Sequence, residues 1–352
     1  MTHSARVVLG CLFLSASVAQ AGVSTTGYVY PSDPTNWAFN DEIRTDVGDG
    51  NSDATLTIDG GSSIESWRTY VGNDNSTVAT VTITGDGSQW ECFHAIIGGY
   101  GNGVLNINAG GTILASSTLM GVEKYSTGIV TVSGNNSKWI NSAGIGIGIE
   151  GAGTANILNG ATASCDYCAI GAFESYSSGI INVSGIGSKL TIETDLLVGS
   201  WNLVNGYGII NITEGGLISV DEHIRIDGNE EHNSYINMST GGTLAVKIPN
   251  QFDGFDTVRW WNDSINAWAP LSTATEGEDY TYEYQNTGDW TGYTLLTVGT
   301  VPVPEPGAIA LIFSALVAMG MSPHEKNAAL RNKANRHPKR GIFEGVCKSL
   351  GA

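Results

Sequence analysis

Charged residues are scarce in this 352-residue chain: Asp, Glu, Lys and Arg make up 14% of it, against about 25% in a typical soluble protein. Cations are scarcest, with 16 Lys and Arg against 34 Asp and Glu, which gives a formal net charge of −18. This balance excludes a nucleic-acid binder that works by neutralising phosphates. The 47 glycines follow no every-third-residue period, which excludes collagen. The 41% content of hydrophobic residues excludes a disordered chain.

Cysteine is also rare, with five in the chain. Cys165 and Cys168 form its single Cys-x-x-Cys, and no His pair stands at metal-ligand spacing, so a structural zinc site is not expected. The two cysteines form either a local disulfide or a pair of small buried thiols. Calcium-binding nonapeptides and phosphate-binding loops before a helix are missing as well. We therefore predict neither a metal nor a cofactor.

The first 22 residues are typical of a secretory signal peptide. One cation, Arg6, precedes an apolar run over residues 7–18, and Ala19 and Ala21 provide small residues at the spacing of a cleavage site. We predict cleavage at Ala21 and export of the protein.

The body of the chain is a repeat array with a unit of about 25 residues. Each unit has a first strand of alternating apolar and polar residues, then a turn and a second strand with one inward apolar residue, then a third apolar position that usually precedes Gly. The first strands begin near Thr55, Thr80, Val104, Ile129, Thr154, Ile180, Ile209 and Tyr235. The second positions are Ile64, Trp90, Ile113, Trp139, Ala163, Leu190, Ile218 and Leu244, and the third are Val71, Ile97, Met120, Ile147, Ile170, Val198 and Ile226.

Two kinds of unit alternate along the array. One turns through Gly-Gly or its equivalent, as at Gly60-Gly61, and the other through Gly-x-x-Ser-x-Trp, as at residues 85–90 and 134–139. Constant three-part units favour an all-β parallel β-helix, a β-solenoid, of about eight coils over an antiparallel sandwich, because each coil buries its interior only against its neighbours.

These repeats imply a simple domain plan. We assign residues 55–248 to the solenoid and residues 23–54 to an N-terminal cap, because exposed strand edges at solenoid ends need covering. Residues 249–300 hold Trp260, Trp261, Trp268, Trp290 and several Tyr, and we interpret them as a small aromatic β cap rather than a carbohydrate platform.

The C-terminal segment has the order of a sorting signal. Pro304, Glu305 and Pro306 precede an apolar run over residues 308–321, and the tail 322–352 holds seven Lys and Arg against two Glu. This arrangement resembles the PEP-CTERM signal of Gram-negative bacteria, and the units at 105–113 and 130–139 resemble the repeats of autotransporter passengers and PEP-CTERM proteins. The resemblance implies a hydrophobic helix within 301–321, a transient inner-membrane anchor through 308–321, and processing by an exosortase. The tail runs longer than in the family, and a plain membrane anchor is the alternative.

Candidate catalytic residues are few. The densest group is Asp221, His223, Arg225 and Asp227, and the unit pattern turns the last three outward. A polysaccharide lyase or glycoside hydrolase on a β-helix would need such clustered acids and cations. We favour instead a non-enzymatic, adhesin-like structural protein of the cell surface or extracellular biofilm matrix, which binds extracellular polysaccharide or surface proteins through an extended face.

Overall fold

The computed structural model describes eight segments of the chain: residues 22–39, 44–49, 52–75, 77–174, 176–199, 206–226, 234–247 and 257–299. Within them the protein is all-β, with two short 3₁₀ turns at Pro34–Asn36 and Leu271–Thr273. The predicted cleavage site at Ala21, the motif Pro304–Pro306, the hydrophobic helix within 301–321 and the tail 322–352 lie outside the described residues. Asp227 does as well.

The strands are, in chain order, β1 Gly22–Thr26, β2 Val29–Tyr30, β3 Arg44–Val47, β4 Ala54–Asp59, β5 Ser63–Val71, β6 Val78–Thr84, β7 Gln89–Ile97, β8 Asn102–Asn108, β9 Thr112–Met120, β10 Thr127–Ser133, β11 Lys138–Asn141, β12 Gly144–Ile147, β13 Ala152–Leu158, β14 Thr162–Cys165, β15 Tyr167–Ile170, β16 Ser178–Ser184, β17 Lys189–Ile192, β18 Leu196–Val198, β19 Tyr207–Thr213, β20 Leu217–Val220, β21 Ile224–Ile226, β22 Tyr235–Met238, β23 Gly242–Val246, β24 Val258–Asn262, β25 Ala267–Pro270, β26 Tyr280–Tyr284 and β27 Thr294–Val298.

The strands stack into a parallel β-solenoid. Its first sheet runs β4, β6, β8, β10, β13, β16, β19, β22, and every pair along it is parallel. The register joins the eight strand starts in the order predicted from the repeats, from Thr55 opposite Thr80 to Ile209 opposite Tyr235. The parallel pairing excludes the antiparallel sandwich.

The second and third strand positions stack in the same way. Trp90 pairs with Ile113, which pairs with Trp139, and Val71 pairs with Ile97. In the first three coils one nine-residue strand covers both positions (β5, β7, β9). From the fourth coil on, the two positions belong to separate strands, β11 and β12 first.

The solenoid has about seven turns, so the expectation of about eight coils is one too many. Seven units have all three strand positions. The eighth contributes a first strand, β22, and a second, β23. In the described part of the chain β23 pairs next with the antiparallel β27, and β22 pairs with one further parallel strand, β24, which belongs to no complete coil.

Inward side chains fill the interior completely. Leu56, Trp90, Leu105 and Trp139 are at most 1% exposed, and they belong to one continuous apolar cluster that spans the solenoid. The corner between the third and first strands is tight, since a Cβ on Gly121, whose φ is +57°, would collide with the carbonyl of Ala152. The core therefore requires Gly at this corner.

The alternation of the two turn types has a structural cause. In the Gly-x-x-Ser-x-Trp turn, Ser137 Oγ donates to the carbonyl of Ser133 (2.8 Å) and accepts from the amide of Gly110 (3.1 Å) in the preceding coil. Ser188 does the same with Ser184 and Gly160. Each Ser turn is thus hydrogen-bonded to the Gly turn of the preceding coil, an interaction that we call the serine clasp. Two successive coils therefore form one structural repeat.

Additional strands cover both ends of the stack, all of them antiparallel to the strand they cover except β24, which is parallel to β22. β1 pairs with β4 and β2 with β3 at the first coil. At the other end β27 lies between β23 and β26, and β24 turns back on β25 beyond β22. These strands occupy the edges that would otherwise be free to pair with another chain.

Candidate functional site

The outward group around His223 lies where the second strand gives way to the third. Ile224 and Ile226 pack against the core, and the residues between and before them project outward. His223 Nδ1 lies 2.9 Å from Asp195 Oδ1, and an Arg225 guanidinium nitrogen lies 3.8 Å from Asp195 Oδ2. His223 and Arg225 are both about half exposed. One carboxylate from the coil below therefore lies between the side chains of His223 and Arg225.

Asp221 belongs to a separate group on the same side of the solenoid. It accepts from Lys247 Nζ at 3.0 Å and from the Tyr293 hydroxyl. Burial, together with the bond to Asp221, raises the pKa of Tyr293. Lys189 Nζ lies 5.0 Å from the centroid of the Trp290 ring, and burial lowers the pKa of Lys189.

The four predicted residues are thus not brought to one point. The structure separates Asp221 from the pair formed by His223 and Arg225, and it does not describe Asp227. Sequence reasoning missed Asp195, which lies 28 residues before His223. Aligning the sixth and seventh coils residue by residue would have found it, because that spacing is one coil.

Three side chains of the types that bind metal ions lie together in this group, but the Arg225 side chain opposes the binding of a cation. Ligand atoms of Asp195, Glu222 and His223 lie within 4.8 Å of one another. The guanidinium beside Asp195 would compete with a metal for that carboxylate. An acid/base pair for glycoside hydrolysis needs two carboxyl groups on either side of one bond. Here Asp195 is paired with His223 and Arg225, and Asp221 is paired with Lys247.

The cysteine pair lies in the core. Cys165 and Cys168 are both free thiols and both buried. Burial, with a smaller contribution from the hydrogen bond to Cys168, raises the pKa of Cys165, which disfavours the reactive thiolate.

Seven strands of the first sheet present a regular outer surface without charge, and the outward Asp59 belongs to the neighbouring strand β4. No outward side chain on the seven strands β6, β8, β10, β13, β16, β19 and β22 is Asp, Glu, Lys or Arg. An asparagine ladder runs along it, with Asn182 donating to Asn156 (2.8 Å), Asn211 to Asn182 (2.7 Å) and Asn237 to Asn211 (2.9 Å). Beside the ladder stands a column of β-branched residues: Thr80, Val104, Ile129, Thr154, Ile180 and Ile209.

Exposed tyrosines border this face, at the corner where the third strand leads into the first. Tyr125 is 85% exposed, Tyr176 62% and Tyr100 43%. Two residues after each of them a strand of the first sheet begins, at Thr127, Ser178 and Asn102. The flat face and the corner therefore form one continuous surface.

No protein family model matches this chain, and no curated protein or solved structure is significantly similar to it. Among the described residues, no helix is long and apolar enough to cross a membrane.

Proposed function

We propose that this protein is exported, sorted by an exosortase, and displayed on the envelope or in the extracellular matrix of a Gram-negative bacterium, where it binds polysaccharide along the outer face of its first sheet. The uncharged face carries the proposal. In a chain of net charge −18, seven strands present only hydroxyl, amide and uncharged apolar or aromatic groups outward. Strands about 4.8 Å apart repeat these groups over about 29 Å.

Such a face suits many weak contacts with a long polymer. Hydroxyls and amides both donate and accept hydrogen bonds, as sugar hydroxyls do. The rod holds these groups in fixed positions, so little conformational entropy is lost when a polymer binds. Surface proteins are the other class of partner that an extended face could bind.

Co-sedimentation of the full chain with insoluble polysaccharides tests binding. Placing charges on the face, with Thr131→Glu and Asn182→Asp, should weaken retention about tenfold, because each buried charge would be desolvated without a partner. Ser164→Glu, on the outward side of β14, is the matched control and should bind like the wild type. Equal retention of all three proteins would contradict a role for this face.

Processing is tested separately by mass spectrometry of the protein recovered from the producing cells. Cleavage after Ala21 and near Pro304–Pro306 is the expected result. An intact C-terminus through residue 352, in a strain with an active exosortase, would contradict the sorting proposal and favour a plain membrane anchor.

The enzyme alternative rests on the grouping of His223 and Arg225 around Asp195. The same polysaccharide panel, followed by unsaturated-product absorbance and new reducing ends, tests it. Turnover that disappears in Arg225→Ala or His223→Ala would replace the structural role by a glycan-degrading one.

A further inference from the structure

The tyrosine corner carries a concentrated negative charge. Glu123, Glu150 and Glu174 come from the third, fourth and fifth coils, at the same corner. Burial raises the pKa of Glu150, and so do the negative charges of Glu123 and Glu174. Tyr100 adds to the group through a side-chain hydrogen bond with Glu123. This corner therefore attracts cations.

Two tyrosine rings of this corner already hold an ammonium group. Lys124 Nζ lies 3.7 Å from the centroid of the Tyr176 ring and 5.0 Å from that of Tyr125. Such distances are within the range of cation–π contacts. The ammonium belongs to the protein itself, and it demonstrates that the two rings converge on a positive charge of this size.

The third and fifth coils have the same arrangement at this corner. Glu123 and Ser126 enclose Tyr125 in the third coil, and Glu174 and Ser177 enclose Tyr176 in the fifth. Ser126 Oγ accepts from the amide of Glu123 (3.1 Å), and Ser177 Oγ from that of Glu174 (2.8 Å). The non-glycine residue Tyr125 has a φ of +71°, an unfavourable conformation for a bulky side chain. Two coils correspond to about 9.6 Å along the axis, a spacing that suits a polymer with a regular repeat.

We infer that the corner formed by Tyr100, Glu123, Tyr125, Glu150, Glu174 and Tyr176 binds an amine-bearing polysaccharide, one in which amino-sugar units carry free ammonium groups. The inference rests on the proposed function and names its substrate class. Residues 23–303 hold 8 Lys and Arg against 31 Asp and Glu, so the body as a whole repels anionic polymers. The ammonium groups of the polymer displace Lys124 Nζ from the rings of Tyr125 and Tyr176 and pair with the carboxylates, and the adjoining uncharged face binds the sugar hydroxyls.

The test uses the full chain and β-1,4-linked glucosamine polymers of low and high N-acetylation, which differ in their number of free amines. Retention should be strong on the deacetylated polymer, weak on the acetylated one, and reduced by salt. Tyr125→Ser with Tyr176→Ser copies Ser76, which has the equivalent sequence position in the first coil, and should weaken binding about tenfold. Glu150→Gln should weaken it about threefold. Tyr284→Ser, at an exposed tyrosine of β26, is the control and should bind like the wild type.

The outcomes separate the two proposals. Retention on polysaccharides that is indifferent to acetylation and to the tyrosine variants would overturn the amine-specific corner and leave the general binding face in place. Retention on no polysaccharide would overturn both. Binding to polylysine but not to the glucosamine polymer would also overturn the inference, because the corner would then recognise a basic protein. Circular dichroism of each variant separates loss of binding from loss of fold.

Discussion

The first three coils and the last three fully formed coils have the same core but different outer surfaces. In the first three, a single strand runs without interruption through the second and third positions (β5, β7, β9). In the sixth coil, the path from Ile192 to Leu196 takes four steps, whereas the matching path from Cys165 to Cys168 in the fifth takes three. The additional residue turns the backbone outward at this point, while the inward columns continue in register.

Two histidines, one in each half of the solenoid, differ in their exposure to solvent. In the first half His94 is 4% exposed and shares a hydrogen bond of 2.6 Å with buried Ser117, beside a Trp67–Phe93 stack with centroids 4.2 Å apart. In the second half, His223 projects into solvent and pairs with Asp195. In the sixth and seventh coils, each with one added residue at this point, the polar pair is exposed instead of buried, so the surface changes while the core does not.

The largest effects should come from the shared core. Trp90→Ala in the second coil is expected to lower the free energy of unfolding by about 3–5 kcal/mol, and Leu190→Ala in the sixth by about 2–5 kcal/mol, because both leave cavities at fully buried sites of one column. Denaturant unfolding measures both, and outward Thr131→Ala, expected to change little, is the control. A loss below about 1 kcal/mol for Leu190→Ala would show that the second half lacks the tight packing of the first.

The free energy of unfolding should depend on pH because of His94, the buried histidine of the first half. Burial, with a smaller contribution from Arg68, lowers the pKa of His94 from its usual 6.5 to about 4. The unfolded chain therefore binds a proton between these values and the folded protein does not, so the free energy of unfolding falls as pH drops from about 6.5 to about 4. The loss amounts to about 3 kcal/mol.

His94→Asn removes the titrating group and should flatten this part of the pH profile. If the profile of the variant falls as steeply as that of the wild type, another group is responsible.

The smallest effects compare the two polar pairs directly. Ser117→Ala leaves His94 without its buried partner and should cost about 1–3 kcal/mol. Asp195→Ala removes an exposed pair, and it should change stability by less than about 1 kcal/mol. Thermal unfolding of both variants at pH 7 makes the comparison, and equal losses would contradict the difference between the halves.

The sequence predicts the inward columns because their spacing is set by the coil itself. The pairing of Ile64 with Trp90 and of Val71 with Ile97 follows from the repeat, and the register has both. It overestimates the number of coils because the eighth unit has the first two strand positions but is followed in the stack by antiparallel β27. The strands after the solenoid, β24 to β27, belong to no sequence repeat. The repeat pattern therefore does not predict their positions.

Contacts between outward side chains of different coils cannot be predicted from the repeat pattern. The Asp195–His223 pair and the contact of Lys124 with two tyrosine rings join residues of different coils, and each depends on side-chain direction at a corner. The pattern of apolar residues contains no information on these directions. The Ser of the Gly-x-x-Ser-x-Trp turn was visible as a motif, but its partner, the amide of Gly110, appears only when the coils are stacked.

The serine clasp also limits how such a rod can lengthen during evolution. Duplicating a single Gly-turn coil would place two Gly turns side by side, and one backbone amide would lose its serine partner, as at Gly215, whose amide donates instead to the carbonyl of Thr240 (3.0 Å). Duplicating about 50 residues keeps every clasp intact. We therefore expect homologous solenoids to differ in length by whole pairs of coils. Each added pair would also add another copy of the outward side chains at its corner.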